Sequence, residues 1–385
     1  MTARAHRAWI VAILLGSVAA TGVYAWKTVG ERSALSTSYS TVVAHRPSLA
    51  VDAYELLSGA LFFRRTAERL VAAKSTDRER LTALMEWVHE NVRPQYAAPA
   101  RIVPDNFIDI ARRGYGYCDQ SAHVFATLAH FAGYDVHLLF LRAADGVSPH
   151  TVAEVRVDDR WVLVDPWLGF LFLDRAGRLA GTADLGTAAA LPRGYALIGA
   201  DIDEGHFQRG TRFETFPYLS LSGLVLKVWR RVAGVPTVDT PTAPPTGPPP
   251  TTPVVTAASD PVTLRAEILE MDEARRAHLD GRYDQAIAGY RTLLVRPVPL
   301  DMAESVRFFL GLALLRAGSA RQAILAFDSA LEVAPGTAWR SSVLYYRAEA
   351  KGQAGDVDGA VTDLRAANIP SAVQKLVDLG RGERL

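Results

Sequence analysis

The stretch Gly114-Tyr115-Gly116-Tyr117-Cys118-Asp119-Gln120-Ser121-Ala122 decides how the chain reads. Two glycines bracket the approach to Cys118, and the apolar residues Ala122, Phe125, Ala126, Ala129 and Phe131 then recur at helical spacing. The pattern predicts a helix over 118–131, with Gly133 as its C-terminal stop. Cys118 therefore stands where a glycine-containing loop meets a helix N-terminus. The unbonded N–H groups and the dipole of a helix start favour a thiolate, and those N–H groups can also donate to an oxyanion. Cys118 is the single cysteine of 385 residues. An intramolecular disulfide and a four-cysteine zinc site are thereby excluded, and a nucleophile is one role left to it.

After Gly133 the period shortens to that of strands, over 135–141, 150–157 and 161–164. Asp158-Asp159 lies between Val157 and Arg160 and predicts a two-residue hairpin turn. That turn sets Val152 opposite Asp165. His150 shares the face of Val152 two residues along, so it lies diagonal to Asp165 and within side-chain reach. A register slip of one residue would send the two to opposite faces. The hairpin thus delivers an imidazole with a carboxylate to orient it, the pairing that a cysteine nucleophile requires.

Gly116-Tyr117-Cys118-Asp119-Gln120-Ser121-Ala122, with Phe125, Leu128 and Gly133, resembles the cysteine motif of the transglutaminase-like superfamily. His150–Val155 resembles its histidine motif, and Trp161-Val162-Leu163-Val164-Asp165-Pro166 its aspartate motif. Trp87-Val88-His89-Glu90-Asn91-Val92 looks like the helix before the site in that family. The likeness spans roughly Leu57 to Gly169. It implies a papain-like α+β domain and a triad of Cys118 as nucleophile, His150 as base and Asp165 as the orienting acid. Val152 departs from the aromatic residue often found two positions after the histidine, which bears on the substrate channel and leaves the triad intact.

Outward from this core, 51–91 reads as two helices, the second capped by Asp77. Ala8–Trp26 is a 19-residue run without charge, preceded by Arg4, His6 and Arg7 and followed by Lys27, Glu31 and Arg32. It is long enough to span a bilayer, and a cleaved signal peptide is the competing reading. On the C-terminal side, eight prolines fall between Pro236 and Pro253, a composition that favours extended linker. Beyond it Ala286, Ala323 and Ala360 recur every 37 residues, as do Gly281, Gly318 and Gly355, and Ala274, Gly311 and Ala348. Such a period means stacked supersecondary units. Leu310-Gly311, Gly318, Ala323, Phe327, Ala330 and Pro335 of the middle unit resemble a tetratricopeptide repeat, whose usual period is about 34 residues. Ser371–Leu379 reads as a capping helix, and the array is expected to fold alone and offer a concave face to a partner.

The expected organisation is an anchor or signal segment at 8–26, a transglutaminase-like domain at 51–232, a Pro/Thr-rich linker at 233–261 and an all-α tetratricopeptide-like repeat domain at 262–385. The expected function is an exported, membrane-anchored cysteine enzyme acting on amide bonds through a thioester, by hydrolysis, deamidation or transamidation. The catalytic and repeat domains would lie on the extracytoplasmic side of the inner or cytoplasmic membrane. The alternative is an inactive scaffold whose repeats bind a protein. A protein or peptide substrate and a protein partner on the repeats are implied, and no cofactor or metal is. A net charge of +1 carries no strong footprint for nucleic acid. Gln95, Tyr96 and Trp87 are loose candidates for a second oxyanion donor, each more readily structural. His123 and His130 sit seven apart on the Cys118 helix and read as structural. Leu219–Val232 reads as a packing helix or an interfacial one.

Overall fold

The computed structural model describes residues 49–94, 107–141, 150–174, 176–184, 207–212, 261–296 and 300–380. The segment 8–26, the linker 236–253 and the stretch 219–232 lie outside them. Among the described residues no helix is long and apolar enough to cross a membrane.

The N-terminal region opens with α1 (Leu49–Val71) and α2 (Asp77–Asn91). The second starts one residue earlier in chain logic than expected: Thr76, not Asp77, is its cap. The Thr76 hydroxyl accepts from Glu79 N at 3.2 Å while the Glu79 carboxylate accepts from Thr76 N at 3.0 Å. That reciprocal pair satisfies two orphan N–H groups at once, which Asp77 in the first turn cannot do. Next come the two-residue strand β1 (Arg93–Pro94), the helix α3 (Phe107–Arg113), the strand β2 (Tyr115–Gly116) parallel to β1, and α4 (Cys118–Phe131). Gly133, at φ +95°, follows α4 as the pattern predicts.

Four antiparallel strands follow: β3 (Val136–Leu141), β4 (His150–Val157), β5 (Arg160–Asp165) and β6 (Phe170–Leu171). A later strand, β7 (Phe207–Arg212), closes the sheet in the order β6-β5-β4-β3-β7. One face carries Val136, Leu138, Ala153, Val155, Val162 and Val164 into a core shared with Phe63, Leu81, Leu84, Val88, Phe125 and Leu128 of the helices. The other face buries Leu139, Leu141, Val152 and Leu163 with Phe170, Phe172 and Ala180. Both faces are covered, which explains why β4 is buried without interruption from His150 to Val155 rather than alternately.

The C-terminal region is three helical hairpins and a final helix. They are α5 (Pro261–Leu279) with α6 (Tyr283–Leu294), α7 (Leu300–Arg316) with α8 (Ala320–Val333), α9 (Arg340–Gln353) with α10 (Val357–Ala367), and α11 (Pro370–Asp378). Each helix packs on the next. The 37-residue repeat has a direct geometric meaning. Gly281, Gly318 and Gly355 turn each hairpin at φ +76°, +76° and +88°, a region that costs glycine little. At Gly311 an added Cβ would stand 2.6 Å from the Phe327 ring, so the small residue is what lets α7 and α8 approach.

The two regions do not sit apart as a tethered pair. The first helices of the hairpins press on α2, β1 and α3. Arg93 is fully buried; its guanidinium donates to both oxygens of Glu304 (2.8 and 3.0 Å) and to Ser305 Oγ (2.8 Å). It lies over the rings of Trp339 (4.0 Å) and Phe308 (4.5 Å). From the other side Arg275, 1 % exposed, donates to the carbonyls of Ala111 (2.6 Å) and Arg112 (3.1 Å) and lies 3.7 Å above Phe309. Arg316 bridges Glu90 (2.8 Å) and Glu349 (2.6 Å). The side formed by the first helices is therefore taken up by the chain's own N-terminal region. An array left alone would bare Glu304 and an aromatic surface to solvent.

Candidate active site

The N-terminus of α4 is built by its own turn. Tyr117, in extended conformation at φ −79°, ψ 172°, precedes the first helical residue, Cys118. Its backbone N–H is taken by Gln120 Oε1 at 3.0 Å, and the same oxygen accepts from Arg113 Nη2 at 2.6 Å. Arg113 also donates to the Tyr115 carbonyl at 2.9 Å. This clasp fixes the angle at which the loop enters the helix, and with it the direction of the half-buried Cys118 side chain. Gly116 is required there, since a Cβ would meet Gln120 Oε1 at 2.9 Å and Val92 Cγ1 at 3.0 Å.

The hairpin register is the one read from the sequence. Val157 pairs with Arg160 and Ala153 with Val164, so the ladder runs on toward Val152 and Asp165. The turn residues Asp158 and Asp159 take φ of +46° and +63°, as a two-residue turn matched to strand twist demands. His150, first residue of β4, and Asp165, last of β5, meet across the diagonal: Nε2 donates to Oδ2 at 2.6 Å. Both are buried, at 2 % and 0 % exposure. The other Asp165 oxygen, Oδ1, accepts from the backbone N–H of Trp167 (3.1 Å) and Leu168 (2.9 Å), so the carboxylate is held at both ends.

Cys118 lies close enough to the same imidazole to favour its charged form. With Nε2 engaged by Asp165, the nitrogen left for the thiol is Nδ1. Burial works against charge on His150, but the Asp165 carboxylate, its hydrogen bond and the neighbouring Cys118 outweigh it and carry the pKa up to about 10. An imidazole so placed holds its proton firmly beside sulfur, which is the electrostatic condition for a thiolate–imidazolium pair. The structure thus brings together all three residues that the sequence singled out.

Trp167 escaped the sequence reading. Its indole Nε1 donates to the Gly116 carbonyl at 3.1 Å, and its ring lies 5.5 Å from that of His150. It ties the aspartate turn to the segment entering Cys118. The signal for that turn was present in Gly169, which closes it at φ +76° and donates to the Asp165 carbonyl at 2.9 Å. The Gln120 clasp likewise had a signal, a Gln at the third position of a helix. Of the looser candidates, Trp87 packs in the core 6.3 Å from Phe62, and Gln95 and Tyr96 lie outside the described residues. His123 Nδ1 meets the Asp119 carbonyl at 2.8 Å and its ring stacks on Phe107, a structural placement.

Compared with known proteins, residues 64–166 match the family described as the transglutaminase-like superfamily. They form a transglutaminase-like domain that takes in Cys118, His150 and Asp165. The C-terminal helical hairpins lie beyond the matched residues. No curated protein and no solved structure matches the chain.

Proposed function

We propose that this chain is a cysteine enzyme acting on amide bonds of a protein or peptide. The observation that carries the reading is the buried His150, locked to Asp165 at 2.6 Å, beside Cys118 at a helix N-terminus. In the proposed reaction the Cys118 thiolate attacks the amide carbonyl carbon. The tetrahedral intermediate expels the amine, which takes its proton from His150, and a thioester to Cys118 remains. Water then returns a carboxylic acid and the free thiol; an amine returns a new amide instead. Backbone N–H groups of the first turn of α4 are the donors best placed for the oxyanion.

The helical hairpins are read as tetratricopeptide-like. A protein partner for them would meet the second helices, α6, α8 and α10, because the first-helix face is occupied. Residues 8–26 are proposed as a single-pass anchor with both regions on the extracytoplasmic side, and retention in the membrane after alkaline carbonate washing is the expected result.

The enzymatic reading is tested by alkylation and trapping. Folded protein should react with iodoacetamide at neutral pH faster than the unfolded chain, and Cys118→Ala should abolish labelling because no other thiol exists. His150→Ala should leave the fold intact and slow the folded reaction to the unfolded rate. Equal rates in folded, unfolded and His150→Ala protein would refute the enzyme and favour the scaffold.

A further inference from the structure

His89 stands on α2, away from the reacting thiol, and is 4 % exposed. One side of its ring lies against the turn that carries Asp165. A Cβ on Gly169 would stand 2.7 Å from Cγ of His89 and 2.8 Å from Cδ2 and Nδ1, so the imidazole occupies the space beside that backbone. The other side faces the helical hairpins. Ser371 Oγ of α11 is 3.4 Å from Nε2, and the rings of Tyr345 and Tyr346 of α9 lie 5.7 and 6.2 Å away. Burial, opposed by the Trp167 backbone and the nearby carboxylates of Asp165 and Glu90, pushes the pKa of His89 down to about 4, so a neutral imidazole fills the gap.

A second contact between the regions works on the opposite flank of the site. Trp339, just before α9, donates from Nε1 to the Pro94 carbonyl at 3.1 Å, and its ring lies 5.4 Å from that of Tyr115. Phe309 of α7 fills the space beside Gly114, where a Cβ would overlap the ring. Gly114 and Tyr115 lead directly into Gly116 and Cys118. The thiol flank and the carboxylate flank both lean on the helical hairpins.

We propose that His89 is a positioning residue for the Asp165 carboxylate, and that the helical hairpins set it in place through Ser371 and Tyr345. On this view the C-terminal region is the structural second half of the active site. The inference rests on the reading of Cys118, His150 and Asp165 as the catalytic set. Its logic is a short relay: α9 and α11 hold the His89 ring, the ring holds the Gly169 backbone, Gly169 closes the turn onto the Asp165 carbonyl, and the closed turn aims the carboxylate at His150.

The test uses the full chain, with three readings on each variant: thermal unfolding, the rate of Cys118 alkylation by iodoacetamide against pH, and the titration of the His150 imidazole by NMR. His89→Ala should unfold cooperatively, slow alkylation by about tenfold to a hundredfold, the scale of a misplaced catalytic group, and move the His150 titration downward. His89→Gln, which restores bulk and a polar atom toward Ser371, should recover much of both. Tyr345→Ala, on the hairpin side, should shift the same two readings in the same direction. Ser371→Ala removes only a hydroxyl; it should give a smaller shift of the same sign, and it keeps the test decisive when His89→Ala fails to fold. Folded His89→Ala, Tyr345→Ala and Ser371→Ala proteins with wild-type alkylation and an unmoved His150 titration would overturn the inference. An unreactive wild-type thiol would instead overturn the enzymatic reading, and the His150 titration would still report whether His89 positions Asp165.

Discussion

At the scale of single residues, the site depends on holding one carboxylate still. Asp165→Asn keeps the shape but removes the charge that lifts His150, while the burial that opposes charging remains. The His150 titration is therefore expected to fall markedly from about 10. NMR of the imidazole protons reads this directly, and alkylation of Cys118 should slow with it. Gly169→Ala should be costly for two separate reasons, a positive φ and the His89 ring at 2.7 Å. Strain of this kind is worth about 1–3 kcal/mol, so a clear drop in the denaturation midpoint is expected along with slower alkylation. The three principal residues were legible in the sequence because each sits at a boundary that a local pattern marks: a helix start, a strand start and a strand end. Trp167 and His89 were not, because a tryptophan after Asp-Pro and a histidine on an apolar helix face read as ordinary packing until a backbone from elsewhere is placed against them.

At the scale of elements, the β4–β5 hairpin acts as the gauge that sets the distance between His150 and Asp165. Its turn puts Asp158 and Asp159 at positive φ, where glycine is easier to accommodate. Asp159→Gly should stabilise the protein by up to about 1 kcal/mol without changing alkylation. Inserting one glycine between Asp158 and Asp159 should do the reverse: it invites a register slip that turns one of the two side chains to the far face, so reactivity should fall even where the fold survives. The register could be read beforehand because a two-residue loop leaves a single pairing. The strands β1, β2 and β6 could not, being two residues each and defined only by the partners they meet. β7 returns after a long excursion, and its sequence Phe207-Gln208-Arg209-Gly210-Thr211-Arg212 lacks the apolar alternation of a typical strand.

At the scale of the whole molecule, the periodicity that revealed the hairpins said nothing about what they face. Buried arginines are poor predictors in one dimension, since Arg93 and Arg275 look like surface residues until partners 211 and 164 positions away enclose them. Separation of the regions would leave Glu304 and Glu90 without their guanidinium partners, and breaking a buried pair costs roughly 3–5 kcal/mol. Cleavage at a protease site engineered into 236–253 should accordingly leave two fragments that co-elute on gel filtration and retain the alkylation rate. Fragments that part under native conditions would count against the interface. The junction should also be acid-sensitive. His89 and His278, the latter on α5 with Nε2 3.8 Å from Glu90, are both held neutral by burial, with pKa values pushed down to about 4, whereas unfolded histidine titrates near 6.5. The unfolded chain takes up these protons first, so their contribution is complete above pH 6.5 and is lost as pH falls toward 4. Each is worth up to ~3 kcal/mol on that basis. Melting curves from pH 7 to 4.5 should show the decline, and a His278→Gln variant should blunt it.

The ion pair between Arg93 and Glu304 joins residues 211 positions apart, and that interval is also a measure of time. A ribosome adding about 5–20 residues each second needs roughly 10–40 s to cover it. For most of that span, from residue 165 onward, Cys118, His150 and Asp165 have all been made, while the helices that brace their surroundings have not. A nascent chain is thus expected to carry its thiol in a blunted state and to gain full reactivity only as α9 and α11 emerge and dock. Stalled chains of increasing length, probed with a thiol-directed fluorophore, should show reactivity rising late and abruptly, beyond residue 371, instead of with the completion of β5 at Asp165.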